Sequence, residues 1–323
     1  MTVAVWGNPL PYLMSAVTPA PPEAISVSEA TAARNLDVDA VALMSHVEAI
    51  ATQPRFTPTQ KQPVRTYIKD QLSRYGITLR QQSYGTSKNG GINLIADIPG
   101  TQPEAGIYIL GAHYDTTANS PGADDNATAL ATLLEAARIL SGYSNPATLR
   151  LVFFDQEEQQ PDGGGLLGSL AFANEPENTV GVKGAVTLDM VGYACHTVGC
   201  QRYPRLPLQN LPEKGDFITV FGLENHRELI GAFVLSAQTN WPLLISLPIP
   251  KASLQLLPDL ARSDHAPFWK KGIPAVSVTD TANFRNPNYH KPTDTIDTLD
   301  ETFFKGSAQH VVNAVAALLS QAA

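Results

Sequence analysis

The run GIYILGAHYD at 106–115 restricts the fold more than any other stretch of this sequence. It is nearly unbroken in apolar residues and then ends abruptly in a histidine and an aspartate. A strand of that kind is buried on both faces, so helices must cover it above and below. Three more runs repeat the design: TLRLVFFDQEE at 148–158, GAVTLDMVGY at 184–193 and IPAVSVTD at 273–280. Two others, ITLRQQSY at 77–84 and INLIADIPG at 92–100, also read as strands. Helical patterns lie between and around them. Val38, Val41, Met44, Val47 and Ile50 recur at about every third position and predict one helix face. A second helix from about Thr59 carries Val64, Ile68, Leu72 and Tyr75, and Gly76 stops it. Further helices are predicted over 126–140, 166–174, 225–238 and 301–320. Strands alternating with helices imply an α/β fold with a mainly parallel sheet covered on both sides.

Composition narrows the function classes. The chain has 323 residues, 43% of them hydrophobic, enough for a large core. Its formal net charge of -8 argues against a nucleic-acid partner, because phosphate binding needs a basic footprint. No run of eighteen apolar residues is present, so no membrane span is expected. Residues 1–36 read as an arm or the remnant of a leader, with TPAPPE as a stiff connector, and 37–323 as one domain. The two cysteines, Cys195 and Cys200, either close a small disulfide loop or remain thiols. Two cysteines are too few for an all-thiolate zinc site.

The polar residues that follow the buried runs carry the chemistry, since ligands in such sheets sit beyond the carboxyl ends of the strands. His113 and Asp115 are two apart and project to one face of extended chain. Asp115 is placed to assist a metal-bound His113 from behind. Asp124 and Asp125 are more acid than a helix cap requires, and a carboxylate can bridge two cations. Glu157 and Glu158 would be a solvated face elsewhere; directly after LVFF, one can bind metal while the other takes a proton from water. Asp189 stands at a strand end, and His290 in a Pro- and Asn-rich loop. Histidine and carboxylate donors without thiolates suit zinc.

Taken in order, HYD, GADDNATA, EE ahead of GLLGS, LDM and YHKPTDT resemble the co-catalytic two-zinc aminopeptidases of clan MH, relatives of glutaminyl cyclases and glutamate carboxypeptidases. The resemblance covers roughly 90–300. It implies a three-layer α/β/α sandwich around a mixed eight-stranded sheet. It also implies two Zn2+ per chain: His113 and Asp189 on one, Glu158 and His290 on the other, Asp125 bridging. Asp115 would orient His113, and Glu157 would be the general base. The substrate would be a peptide with a free N-terminus, and the family habit of export suggests an extracellular or periplasmic location. Two features depart from the pattern: QQPDGGG after Glu158 is longer than usual, and 195–215 is an insert expected to line the cleft. In SDHAPFW, Asp264 and His265 are candidates for supporting or substrate-side roles, with helix capping at Ser263 or Asp264 as the bland reading.

Three alternatives stand beside the aminopeptidase. A glutaminyl cyclase would use one zinc and usually has tryptophan before the last histidine, where this chain has Tyr289. A carboxypeptidase needs a cation for the substrate's terminal carboxylate, and Arg285 is the candidate. A non-catalytic binding ectodomain would have lost ligands that this chain keeps.

Overall fold

A computed structural model describes residues 35–86, 90–158, 164–203 and 211–321. The predicted arm falls almost wholly outside the described residues, as do most of the QQPDGGG segment and 204–210 of the insert. The strands are β1 (Leu79–Tyr84), β2 (Gly91–Ile98), β3 (Ile107–His113), β4 (Thr148–Phe154), β5 (Val182–Leu188), β6 (Phe217–Leu223), β7 (Leu243–Ile249) and β8 (Ala275–Thr279). The helices are α1 (Ala40–Ile50), α2 (Pro58–Arg74), α3 (Ala129–Leu140), α4 (Leu167–Asn174), α5 (Pro176–Thr179), α6 (Arg227–Ser236), α7 (His265–Lys270) and α8 (Glu301–Leu319).

All eight strands share one mixed sheet in the order β1-β2-β4-β3-β5-β8-β6-β7. β3 runs parallel to both β4 and β5, β5 to β8, and β6 to β7; the pairings β1–β2, β2–β4 and β6–β8 are antiparallel. The alternation of the pleat divides the core in two. Tyr108, Leu110, Leu149, Leu151 and Phe153 join the large cluster under α1, α2, α3, α6 and α8. Ile109, Val152 and Phe154 join the smaller cluster with Phe172 of α4 and Phe268 and Trp269 of α7. Burial on both faces is why the central strands read as continuous apolar runs.

The structure differs from the sequence-based expectation in three places. β6 and β7 were not expected from their own residues; a seven-residue apolar run such as FITVFGL cannot be told from buried helix by periodicity. Pro248 spoils LLISLPI as a strand pattern, yet β7 lies at the sheet edge, where a missing N–H is tolerated. The α1 face is Leu43, Val47 and Ile50, while Val41 is 75% exposed; Val38 is buried ahead of the helix. Finally, regular helix begins at Ala129 rather than Asn126, because Asp125 and Asn126 have non-helical dihedrals. Gly76 follows α2 with φ +75°, a conformation that stops a helix cheaply only for glycine.

Candidate active site

The carboxyl ends of β3, β4 and β5 lie side by side, and each delivers polar residues to one place. β3 ends in His113, β5 is followed by Asp189, and Glu157 and Glu158 come three and four residues past β4. Asp125 enters from the irregular turn before α3, and His290 from the loop between β8 and α8. His290 has φ +60°, a left-handed conformation that is uncommon outside glycine and clusters at functional sites.

These side chains meet. His113 Nε2 lies 3.5 Å from Asp125 Oδ1 and 3.7 Å from Asp189 Oδ1. His290 Nε2 lies 3.3 Å from Asp125 Oδ2 and 3.1 Å from Glu158 Oε2. The Asp125 carboxylate thus stands between two imidazoles and gives one oxygen to each. Two donor sets result, His113–Glu157–Asp189 and Asp125–Glu158–His290, each with its candidate ligand atoms within 4.8 Å of one another. The structure therefore brings Glu157 and all five predicted ligands together. It also separates Asp124 from Asp125. Asp124 accepts from Gly192 N, Thr128 Oγ1 and Asn286 Nδ2 and so ties loops together; it caps no helix.

Asp115 sits behind the site in a different way from the one expected. The oxygen nearest His113 Nδ1 is the Asp115 carbonyl, at 3.2 Å, and the carboxylate stands off at 3.7 Å. Instead the carboxylate accepts the backbone N–H groups of Glu157 (3.0 Å) and Glu158 (3.2 Å). It clamps the acidic pair through the main chain while the carbonyl fixes the imidazole tautomer.

Three supporting residues escaped the sequence reading. Asp294, in PTDT, repeats the clamp: its carboxylate accepts the N–H groups of Asp124 (2.9 Å) and Asp125 (3.1 Å). The Asn126 side chain donates to Leu188 O and accepts from Met190 N, both at 3.0 Å, and so brackets Asp189. Arg55, only 1% exposed, donates to the carbonyls of Tyr114, Pro121 and Gly122 and braces the loop that carries Asp125. The acid seven residues before α8 and the asparagine after DD were visible in the sequence. Nothing local marked Arg55.

Electrostatics show what the cluster lacks. Burial disfavours a charge on His113, yet Glu157, Asp189 and Asp125 hold its pKa well above the usual imidazole range. Burial likewise opposes charge on His290, but the carboxylates of Asp125 and Glu158 push it up to about 10. Asp125 is raised to about 6 by burial and by Glu158. Burial, with Asp189 and Glu158, raises Glu157 well above the ordinary carboxyl value. In the protein alone, protons on the imidazoles balance the acids. Divalent cations would replace those protons, as metal binding does at such ligands. Among the described residues, the buried Asp125 Oδ2 has only the ion-pair contact of His290 Nε2, a place that a cation would take over. The donors are imidazole nitrogen and carboxylate oxygen, a set that fits zinc. Both cysteines are committed to the Cys195–Cys200 disulfide.

Arg285 is not a substrate cation. It donates to Gln201 Oε1, Tyr193 O and Phe217 O, and its guanidinium lies over the Phe217 and Phe303 rings at 4.5 and 5.6 Å. His265 packs edge-on against Phe221 and Trp269, with Nε2 on Leu260 O, and belongs to neither donor set. Asp264 precedes α7 without capping it and lies buried beside the site, where its charge bears on Glu157.

A mixed α/β/α sandwich with paired histidine–carboxylate sets at the carboxyl ends of its central strands defines a metallopeptidase-type architecture. The model of peptidase family M28 matches residues 93–219 and 245–316, and the chain belongs to that family. It is 34% identical to the uncharacterized protein YfbL of Escherichia coli over 266 residues, 78% of either chain. It is 30% identical to a probable leucine aminopeptidase 1 of Trichophyton verrucosum over 246 residues, 71% of this chain and 57% of that one. The chain therefore spans little more than half the length of that fungal relative. Its fold matches a zinc aminopeptidase from Bacillus subtilis at TM-score 0.69 and 16% identity, covering 87% of this chain and 95% of the other. Among the described residues, no helix is long and apolar enough to cross a membrane.

Proposed function

We propose that this protein is a two-zinc aminopeptidase that removes N-terminal residues from peptides. The observation that carries the reading is the Asp125 carboxylate, divided between His113 and His290. His113 and Asp189 would hold one ion, Glu158 and His290 the other, with Asp125 shared. When bound, zinc supplies the Lewis acidity that polarises a scissile carbonyl and acidifies the attacking water. Glu157, raised by burial and by neighbouring acids, is the group to take that water's proton and deliver it to the leaving amine. Its N–H, held by the Asp115 carboxylate, keeps the side chain aimed at the reaction. A site this rich in carboxylates favours the free ammonium of a substrate's first residue.

Two observations favour this over its neighbours. Arg285, the cation the sequence offered for a carboxypeptidase, is engaged inside the protein. Tyr289, rather than tryptophan, stacks on His290 with ring centroids 3.7 Å apart. The test compares leucine p-nitroanilide with its N-acetylated form and counts zinc by elemental analysis. Two zinc ions per chain and cleavage restricted to the free amine are expected. One ion with cyclisation of N-terminal glutamine, or equal cleavage of the blocked substrate, would overturn the proposal. The Cys195–Cys200 bond supports function in an oxidising compartment outside the cytoplasm; fractionation of the expressing cell checks this.

A further inference from the structure

The fold places an exposed cation, Arg262, at the rim of this acidic site. Arg262 precedes Ser263 and Asp264, which turn into the protein beside the donor sets, while Arg262 itself stays exposed. Its Nη2 donates to Tyr289 Oη at 3.0 Å, and the Tyr289 ring stacks on His290 at 3.7 Å and 22°. The guanidinium is thus one tyrosine ring away from a proposed zinc ligand. Its Nη1 donates to Asp259 Oδ1 at 3.0 Å and meets Asn283 Oδ1 at 3.5 Å. Both partners are themselves on exposed turns. An exposed i,i+3 ion pair of this sort is worth little and exchanges readily. Nε–H has no partner among the described residues, so the planar fork keeps a donor for a bidentate acid. The contact with Tyr289, which stacks on His290, places Arg262 beside the mouth of the site. The other two arginines near the site cannot serve: Arg55 and Arg285 are buried and bound to internal carbonyls.

Asp125, Glu157, Glu158 and Asp189 would surround the proposed ions, so an acidic substrate group out of reach of those ions is repelled wherever no other cation faces it. We propose that Arg262, held in place by Tyr289, is a specificity residue that recognises a substrate carboxylate next to the scissile bond. The carboxylate comes either from an acidic side chain or from the terminus of a short peptide. This rests on the aminopeptidase reading and deepens it.

The experiment measures kcat/KM for matched pairs on the zinc-loaded wild type and Arg262→Ala: Glu- against Gln-p-nitroanilide, Leu-Glu-amide against Leu-Gln-amide, and Leu-Gly against Leu-Gly-amide. At least one acidic member should lose about tenfold or more relative to its neutral twin. The pair that moves identifies the source of the acid, and Arg262→Lys should restore part of the difference. A uniform loss on every pair would show that Arg262 only positions Tyr289 and would overturn the proposal, as would no change. If the wild type cleaves nothing, the peptidase reading fails on its own. Calorimetric titration of the two dipeptides, Leu-Gly and Leu-Gly-amide, and of glutamate against glutamine then decides: a preference for the acid that disappears in Arg262→Ala upholds the proposal, and an unaltered ratio sinks it.

Discussion

The two halves of the site are built from different material. His113, Glu157, Glu158 and Asp189 stand at or just past the ends of β3, β4 and β5, in the most buried part of the sheet. Asp125 and His290 come from irregular backbone, one from a turn with non-helical dihedrals and one from a long loop with a left-handed residue. Regular strands need little help to place a side chain. The loops need dedicated braces, and they have them: Asp294 on the Asp124 and Asp125 amides, Arg55 on the carbonyls at 114, 121 and 122, and Arg285 inside the His290 loop. The strand half has a corresponding brace in Asp115, but it clamps a short connection directly after β4. The same device, a buried carboxylate accepting two successive amides, therefore serves both halves, with more to restrain in the second.

Substitutions can break this comparison. The largest effect is expected at the residue shared by both halves: Asp125→Ala should release both ions and abolish turnover, whereas His113→Ala and His290→Ala should each leave about one ion per chain by elemental analysis. If Asp125→Ala keeps two, the shared-ligand geometry is wrong. Glu157→Gln should come next, with kcat down by about 10²–10⁴-fold and zinc content unchanged. Loss of zinc in that variant would instead make Glu157 a ligand, which its 4.8 Å grouping with His113 and Asp189 makes a real distinction.

The braces should cost less. Asp115→Asn and Asp294→Asn each face two amide donors with one carbonyl oxygen and one NH2 group. Both should weaken zinc binding by about 10–100-fold, read by competition with a chromophoric chelator. Asp294→Asn should weaken mainly an ion held by Asp125 and His290, because its clamp lies on the loop side; equal loss of both ions would erase the difference between the halves. Chelator alone should lower the melting temperature, since removing a ligand held at a hundred times its Kd costs about 2.7 kcal/mol. The smallest effect on activity should be at Arg285→Lys. It loses the fork to Gln201 and Phe217 and should lower the melting temperature while leaving the preference for free-amine substrates intact.

Particular residues show how far a linear reading reaches. Buried central strands announce themselves, because both faces are covered and every position is apolar; hence β3, β4, β5 and β8 and their terminal His113 and Asp189 were legible. β6 and β7 were not, since one is a short ambiguous run and the other contains Pro248. The spacing puts Val41 on the core face, yet it is exposed, because spacing alone cannot say which side of a helix faces the sheet. The candidate ligands were legible through residue type, their place after strands and the resemblance they carry as an ordered set. The braces were not: Arg55 and Asp294 act on backbone groups of other segments, and Asn126 brackets Asp189 from 63 positions away in the chain.

By itself the sequence determined the layered α/β architecture, the acidic net charge, and a set of nitrogen and oxygen donors in the right order. Local pattern encodes these, because apolar period and residue chemistry are properties of short segments. Tertiary structure alone decided that Asp125 and not Asp124 faces the histidines, that Asp115 grips the glutamate amides, that Arg285 is spent inside and that Arg262 is left at the rim. Each of these depends on which distant backbone groups come within hydrogen-bond reach, and only the closed sheet with its loops sets those distances.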